Sequence, residues 1–184
     1  MANIWATSDQ HFLHLWLNII KYAERPFELN ENGIKDCINH IVNSYNSVIQ
    51  DDDLVIHLGD LGHGRNQSKE SIRYILEAHK GRKILIKGNH DNYSDEYYKT
   101  LFESVGTYLV KDEYFFCHYP LYKDALGPYE KELLKIFESS GCTTIVHGHT
   151  HNKDSHSNDG IKRINVAVDY TPNDFKPVKI DFFN

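Results

Sequence analysis

The stretch that decides the fold is Ile-Leu-Ile-Lys-Gly-Asn-His-Asp, residues 84–91. Its apolar run is short and is closed by a lysine and a glycine, which predicts a buried strand rather than a helix. Ligands of α/β sheets bind just beyond the carboxyl ends of the strands. We therefore expect Asn89, His90 and Asp91 to lie at the rim of a sheet, where they can meet a ligand.

The same arrangement occurs at four other places, where a short apolar run is followed closely by polar side chains. These runs lie at residues 4–6, 54–56, 114–117 and 144–146, and they lead to Asp9 and His11, to Asp60, to His118, and to His149 and His151. If all five runs are strands of one α/β fold, the residues that follow them meet at one rim. Aspartate, histidine and asparagine gathered from five distant segments are typical of a metal site.

The order of elements predicts an α/β domain. We expect strands near residues 2–7, 53–58, 82–87, 143–147, 161–168 and 177–182, a hairpin of 107–110 with 113–118, and helices at 12–24, 32–50, 68–79, 92–104 and 128–139. Strands and helices alternate over the first two-thirds, and strands dominate the last part. Because the sequence has no repeats, low-complexity tracts or linker-like stretches, residues 1–184 are expected to form a single domain.

Composition restricts the class of protein and its partners. The 26 acidic and 20 basic residues give a net charge of −6 without a basic stripe, so stable nucleic-acid binding is not expected. Cys37, Cys117 and Cys142 have no paired spacing, which favours a reducing cytoplasm over a disulfide framework. No window approaches the roughly 18 apolar residues of a membrane span, so no membrane partner is expected. The oligomeric state is left open.

The candidate ligands all offer nitrogen or oxygen donors, and none is a thiolate: Asp9, His11, Asp60, Asn89, His118, His149 and His151. Such donors suit first-row divalent metals, with manganese as the first choice and iron, nickel, zinc or cobalt as alternatives. Seven ligands are too many for one tetrahedral zinc but suit two ions that share a carboxylate. Two ions about 3.5–4 Å apart form a hydrolytic centre, because together they activate water and stabilise phosphoryl charge.

A structural role is the simpler interpretation of any single histidine, because the chain contains 12 of them. The histidines that we expect to be packed or solvated are His40, His57, His79, His147 and His156. His14 and His63 lie close to candidate ligands, and both interpretations stay open for them. The metal site is favoured by the order and placement of the five segments taken together.

These segments, in this order, resemble the motifs of the calcineurin-like metallophosphoesterases: Asp-x-His, Gly-Asp, Gly-Asn-His-Asp, a lone histidine after a strand, and Gly-His-x-His. The chain is similar to a small single-domain group of bacteria and phages, also in Arg-Pro-Phe at 25–27 and Asn-Val-Ala-Val-Asp at 165–169. The resemblance implies an α/β four-layer sandwich, in which two mixed β-sheets face each other, helices lie outside and metals bind at one rim.

The resemblance also implies a role for each candidate residue. The first ion would be held by Asp9, His11 and His151, the second by Asn89, His118 and His149, and Asp60 would bridge the two. His90 would contact the phosphate and protonate the leaving oxygen, and Asp91 would orient His90 by hydrogen bonding.

The implied activity is that of a dinuclear metal-dependent phosphoesterase with a metal-bridging hydroxide as nucleophile. No dense cluster of arginine and lysine is visible, which favours a small phosphodiester, nucleotide-like or otherwise, over a monoester. Three alternatives stay open: a nuclease on single-stranded nucleic acid, a phosphomonoesterase, and a non-catalytic metal-binding scaffold.

One departure from the family pattern lies between His14 and Asn18, where two residues are inserted and Trp16 is introduced. Trp16 can be a stacking platform for a base or a packed aromatic residue. Together with the loop at residues 119–129, this segment is expected to influence substrate choice.

Overall fold

Two β-sheets with helices on their outer faces make up the computed structural model, which describes residues 2–13, 19–62, 68–153 and 159–181. The strands are β1 (Ile4–Thr7), β2 (Leu54–His57), β3 (Arg82–Ile86), β4 (Ser104–Gly106), β5 (Tyr108–Lys111), β6 (Tyr114–Cys117), β7 (Thr144–His147), β8 (Lys162–Asn165) and β9 (Val178–Lys179). The α-helices are α1 (Ile19–Tyr22), α2 (Glu31–Val48), α3 (Lys69–Glu77), α4 (Asp95–Tyr98) and α5 (Pro128–Ser140), and a 3-10 turn covers Thr171–Asn173. None of the helices in the described residues is long and apolar enough to cross a membrane.

Both sheets are mixed. The first has the strand order β4-β3-β2-β1-β9, in which β9 alone runs antiparallel to its neighbour. The second has the order β5-β6-β7-β8, in which β5 is the antiparallel strand. Parallel neighbours send their carboxyl ends to the same edge of a sheet. The loops that follow β1, β2 and β3 therefore leave together, and so do those that follow β6, β7 and β8.

Alternation along β6 shows how the layers form. Tyr114 and Phe116 pack into an apolar core that also contains residues of the first sheet, whereas Phe115 and Cys117 pack against α5. Successive side chains of a strand face opposite sides, so both faces of this strand are buried. Helices α2 and α3 contribute to the core on the outer face of the first sheet. The predicted four-layer α/β sandwich is confirmed.

The helix predicted over residues 92–104 is wrong for most of its length. Ser94 caps α4 by accepting a hydrogen bond from the Tyr97 N–H, but the helix ends at Tyr98. The Glu103 N–H donates to the Lys83 carbonyl at 2.8 Å, and β4 then pairs in parallel with β3. Pairing with the edge of β3 thus overrides the helical pattern of the segment, as tertiary context often does.

The helix predicted over residues 12–24 is confirmed only at Ile19–Tyr22. Phe12 instead forms a parallel β-bridge with Gly62, and its N–H donates to the Leu61 carbonyl at 2.7 Å. Residues 14–18, including the inserted Trp16, lie outside the described residues, and so do residues 63–67. The other predicted elements are present, with ends shifted by a few residues.

The two sheets are joined at the rim by Ser8, which directly follows β1. Its N–H donates to the Val166 carbonyl at 3.0 Å, and its carbonyl accepts from the Val168 N–H at 3.0 Å. The segment after β1 is therefore paired with the segment after β8. This join brings Asp9 and Asp169, which follow strands of different sheets, within reach of the same side chain, that of Arg25.

Candidate metal centre

All nine side chains that the sequence singles out for the site lie at the rim where the sheets meet. Three of them form one group of possible metal ligands, Asp9, His11 and His151, and three form a second, Asp60, His118 and His149. The amide oxygen of Asn89 adds to the second group, because it lies 3.1 Å from His118 Nε2. His90 and Asp91 follow Asn89 on the same loop. We call the two groups the first cluster and the second cluster.

The first cluster is buried. Asp9 is 0% exposed, and His11 and His151 are each 4% exposed. Asp9 Oδ1 lies 3.8 Å from the Nε2 atoms of both histidines and has no hydrogen-bond partner among the described residues. A buried carboxylate oxygen without a partner is costly. A cation between Asp9 and the two imidazoles would satisfy it, so the residues present fit a metal ion.

The second cluster is more compact and more open to solvent. His118 Nε2 lies 3.1 Å from His149 Nδ1 and 3.4 Å from Asp60 Oδ2. Donors that share a metal at about 2.1 Å and near-right angles are about 3 Å apart, which is close to these spacings. His118 and Asp60 are buried, whereas Asn89 and His149 are exposed. This cluster also fits a cation.

Asp60 is a member of the second cluster and also faces the first. Its Oδ2 is 3.5 Å from His11 Nε2 in the first cluster and 3.4 Å from His118 Nε2 in the second. Burial by itself raises the pKa of Asp60, but the adjacent His118 outweighs this effect and lowers the pKa below its usual value. The carboxylate is therefore held ionised at a point where two cations could share it.

The histidines of the second cluster differ in their pKa values. Burial lowers the pKa of His118, but the carboxylates of Asp60 and Asp9 outweigh it and raise this pKa to about 9. Burial, together with the positive charge of His118, lowers the pKa of His149 to about 4. His149 is therefore neutral near pH 7 and can offer a lone pair, as a metal ligand must.

Backbone conformation sets the ligands apart from the rest of the chain. Five of the seven candidate ligands have positive φ, namely Asp9 (60°), His11 (49°), Asp60 (54°), His149 (69°) and His151 (54°). Only a few per cent of non-glycine residues adopt this left-handed region. Such strain gathers at functional sites, where the surrounding structure holds it in place. The residue types at these five positions do not predict the left-handed backbone conformation.

Two glycines beside the ligands allow the loops to approach each other. A Cβ atom on Gly148 would overlap Asp9 Oδ2, and a Cβ atom on Gly88 would overlap Asp60 Oδ1. Both clashes involve carboxylates of the site that are held by backbone hydrogen bonds. Glycine at both positions therefore permits the close approach of the loops to the carboxylates.

Asp91 ties two of the loops together. Its Oδ2 accepts hydrogen bonds from the N–H groups of Asp60 at 2.8 Å and Gly88 at 2.9 Å, and its Oδ1 accepts one from Leu61 at 3.1 Å. Burial, assisted by the charge of Asp60, raises the pKa of Asp91 to about 7. These bonds fix the loop that carries His90. The expectation that Asp91 bonds the His90 side chain itself stays a prediction.

His90 lies at the edge of the clusters. Its Nε2 is 4.0 Å from Asp60 Oδ2, its ring meets the His11 ring edge-on at 5.2 Å, and its side chain is 23% exposed. Its backbone N–H donates to Asp60 Oδ1 at 2.9 Å. The imidazole therefore borders both the ligand groups and the open space in front of them.

A cavity of about 280 Å³ lies over the clusters and is lined by His11, Ile19, Tyr22, Asp60, Asn89, His90, His149 and His151. The residues in it that sequence reasoning missed are Ile19 and Tyr22, which belong to α1. Tyr22 is 54% exposed, its ring meets the His151 ring edge-on at 5.6 Å, and Lys153 Nζ lies 4.2 Å from its ring centre. The sequence pattern at residues 19–22 predicts a helix, but nothing in it indicates that this helix lines a site.

The histidines expected to play structural roles are accounted for where they are described. His57, His79 and His147 are buried and belong to neither ligand group, and His40 packs against Phe27 and Phe175 on the surface of α2. His14, His63 and His156 lie outside the described residues.

Comparison with known proteins agrees with the fold. A model of the calcineurin-like phosphoesterase superfamily domain matches residues 4–167. An uncharacterized protein of Methanocaldococcus jannaschii is 30% identical, and the match covers 98% of this chain and 89% of that protein. The Gene 66 protein of Mycobacterium phage L5 is 29% identical over 82% of this chain and 78% of its own length. The crystal structure of a protein of unknown function from Aquifex aeolicus has a TM-score of 0.73 at 26% identity and covers 97% of this chain and 96% of its own.

Proposed function

Since this chain belongs to the calcineurin-like phosphoesterase superfamily, we propose that it is a two-metal phosphodiesterase for a small substrate. Membership in the family itself supports a metal-dependent phosphoester hydrolase. The observation that carries the finer proposal is the position of Asp60, whose Oδ2 lies within 3.5 Å of a histidine nitrogen in each cluster. One carboxylate that faces two ligand groups is the arrangement required by two cations that share a ligand.

Two divalent cations would be held by the ligand sets Asp9, His11 and His151, and Asn89, His118 and His149, with Asp60 between them. We propose manganese, with iron, nickel, zinc and cobalt as alternatives that the same nitrogen and oxygen donors suit. When bound, the ions would lower the pKa of water and offset negative charge on the phosphoryl oxygens. They would also change the formal net charge of −6 to about −2, and the change would be concentrated where the substrate binds.

His90 is the proposed acid for the leaving group. A water molecule would give up one proton to solvent, and its oxygen forms the new bond to phosphorus. The bond from phosphorus to the leaving oxygen breaks, and that oxygen takes a proton from His90 Nε2. The partial exposure of His90 allows its ring to contact a molecule in the cavity. Asp60 supports the reaction from the backbone side, because its Oδ1 holds the His90 N–H.

The lining of the cavity favours a phosphodiester over a monoester. Among the described residues that line it, none is lysine or arginine. Lys153 lies at the rim over Tyr22 rather than within the cavity. A diester carries one negative charge, and the cations alone can balance it, whereas a terminal dianionic phosphate gains from additional cationic side chains. The volume of about 280 Å³ suits a small molecule, of which a nucleotide-like diester is one example.

The alternatives receive less support. A nuclease for single-stranded nucleic acid would gain from a basic track, whereas the chain has a net charge of −6. A non-catalytic metal-binding scaffold has no need of His90, which is not a candidate ligand yet lines the cavity.

The proposal is tested by assaying the metal-free protein with bis(p-nitrophenyl) phosphate and p-nitrophenyl phosphate after adding Mn²⁺, Ni²⁺ or Zn²⁺ separately. We expect faster diester hydrolysis, which chelation abolishes. The His90→Ala variant is expected to keep its metal and to lose turnover by roughly 10²–10⁴, the range for a lost general acid. His40→Ala, on the exposed surface of α2, is the matched control and should hydrolyse as the wild type does.

Hydrolysis that survives thorough chelation would overturn the metal-dependent mechanism. A faster monoester reaction with every metal would overturn the diester preference alone. Loss of metal from His90→Ala would show that the role assigned to this histidine is wrong.

The compartment and the domain organisation complete the proposal. Cys37, Cys117 and Cys142 are free thiols, which agrees with a reducing compartment, and we propose the cytoplasm. We also propose that residues 1–184 act as one domain, since the five segments of the site span residues 9–151.

A further inference from the structure

A buried ion pair lies behind the first cluster. Arg25 Nε and Nη2 lie 2.9 and 2.8 Å from Asp169 Oδ2, and the two side chains are 1% and 2% exposed. The residues are 144 positions apart in the chain. Burying an ion pair costs desolvation energy that the pair alone often fails to recover. The role of the pair is therefore to be found in the other hydrogen bonds that Arg25 and Asp169 make.

Two further hydrogen bonds of Arg25 go to the loop after β1, and its Nη1 also donates to Cys37 Sγ at 3.7 Å. Its Nη2 donates to the Asp9 carbonyl at 2.7 Å, and its Nη1 donates to the Gln10 carbonyl at 2.9 Å. These carbonyls belong to the turn on which Asp9 and His11 have left-handed backbone conformations, with φ of 60° and 49°. A planar guanidinium presents its donors in a fixed geometry, so it can hold two successive carbonyls and a carboxylate at once.

Asp169 continues the network to the third ligand. Its Oδ1 and Oδ2 lie 3.0 and 2.9 Å from His151 Nδ1. A carboxylate at this distance accepts a hydrogen bond from Nδ1, which leaves Nε2 as the nitrogen that faces the first cluster. That Nε2 lies 3.8 Å from Asp9 Oδ1, on the side of the first cluster. The second cluster lacks this arrangement at His118, whose Nδ1 donates to the neutral carbonyl of Leu58 at 2.7 Å.

We propose that Arg25 and Asp169 are positioning residues of the first metal site. Arg25 fixes the backbone that carries Asp9 and His11, and Asp169 fixes the tautomer and orientation of His151. The Arg25 guanidinium thus acts on all three ligands of the cluster. It bonds the Asp9 carbonyl directly, it bonds the Gln10 carbonyl that precedes His11, and it holds the Asp169 carboxylate that bonds His151. The role rests on the proposed function, because it requires that the first cluster hold a cation.

The test compares metal binding by the full-length chain and its Asp169→Asn variant. Mn²⁺ binding is measured by equilibrium dialysis, and electron paramagnetic resonance distinguishes paired from isolated Mn²⁺. In Asp169→Asn we expect the affinity of one ion to fall 10- to 100-fold, the usual effect of removing the carboxylate partner of a ligating histidine. The other ion should bind as in the wild type, and the signal should change from coupled to isolated Mn²⁺. Arg25→Lys keeps the positive charge but loses the planar set of guanidinium donors, so its affinity for the ion of the first cluster should lie between those of the wild type and Asp169→Asn.

Asp53→Asn is the matched control. Asp53 is also buried and also accepts several hydrogen bonds, from Asn3, Trp5 and Gln50, but it lies away from the rim. We expect this variant to have a lower melting temperature and unchanged affinity for both ions. A fall in affinity for both ions in step with melting temperature would assign Asp169 a merely structural role and overturn the proposal.

The outcomes separate this inference from the proposed function. If the wild type binds no Mn²⁺, the two-metal function fails and the positioning role fails with it. If the wild type binds two ions and Asp169→Asn binds both with unchanged affinity, only the positioning role fails.

Discussion

The two ligand clusters are built from the same kinds of side chain, yet their surroundings differ. Asp9, His11 and His151 are at most 4% exposed, and a buried ion pair lies behind them. In the second cluster, Asn89 and His149 are exposed, and His118 is backed by a carbonyl. Burial and charged partners hold ligands in place, whereas exposure lets them exchange with water. We therefore expect the first cluster to retain its ion tightly and the second to exchange it.

The largest effect is expected where the clusters share a residue. Asp60→Asn keeps the shape of the side chain but removes the charge that faces both clusters. We expect both ions to bind more weakly and turnover to fall roughly 10³-fold, since metal ions supply several kcal/mol of charge stabilisation. Metal analysis and diester hydrolysis measure the two effects. Loss of a single ion would contradict the shared role of Asp60, because it would show that Asp60 binds an ion in one cluster only.

A second experiment separates acid effects on the clusters from acid effects on the fold. Burial lowers the pKa of His79 from 6.5 to about 4, so the folded chain binds fewer protons than the unfolded chain between these values. His79 therefore stabilises the fold above about pH 6.5, and this contribution is lost as the pH falls to about 4. The loss amounts to about 3 kcal/mol.

The measurement is urea unfolding of the metal-free protein from pH 7 to pH 4. His79 packs against Tyr45 and Phe12, so His79→Phe suits its surroundings and should reduce the pH dependence. His40→Gln, at an exposed position, should leave it unchanged. An equal pH dependence in the wild type and His79→Phe would trace the acid sensitivity to other groups, of which His57 is one, because burial also lowers its pKa.

Graded chelation tests the comparison directly. Titration of the two-metal protein with a chelator should remove the ions in two steps, separated by about tenfold or more in affinity. His149→Ala should lack the weak step, and His151→Ala should lack the tight step. If the step that persists in His149→Ala is the weak one, the order of the two clusters is reversed.

The smallest effect isolates the backbone. His149 has φ of 69° and is exposed, so alanine and glycine at this position remove the same ligand and differ mainly in how well they accept this conformation. We expect His149→Gly to be more stable than His149→Ala by about 1 kcal/mol. Thermal unfolding of the two metal-free variants measures the difference. Equal stability would mean that the turn carries no strain.

The sequence alone predicted which side chains meet at the rim, because these side chains follow a local pattern. Asp60 and Asn89 each come directly after a short apolar run and a glycine, and parallel strands bring such positions to one edge. The four-layer sandwich was predictable through the family motifs. The assignment of individual ions to the clusters stays a prediction.

What the sequence could not show depends on distance along the chain or on backbone geometry. Arg25 and Asp169 lie in segments noted only as family features, and their pairing exists only after Ser8 has joined the sheets. Strand β4 was not predicted, because the edge of β3 that pairs with it is set by tertiary structure. Tyr22 became part of the cavity only through the position of α1.

The left-handed turns at five ligands have a consequence for the lifetime of the protein in a cell. Strained residues cost of the order of 1–3 kcal/mol each, so together they approach the net stability of a typical domain. Cations that bind only the folded state restore stability by mass action. A chain starved of metal would spend more time unfolded and be degraded sooner. The abundance of the protein, and not only its activity, would then follow the metal supply.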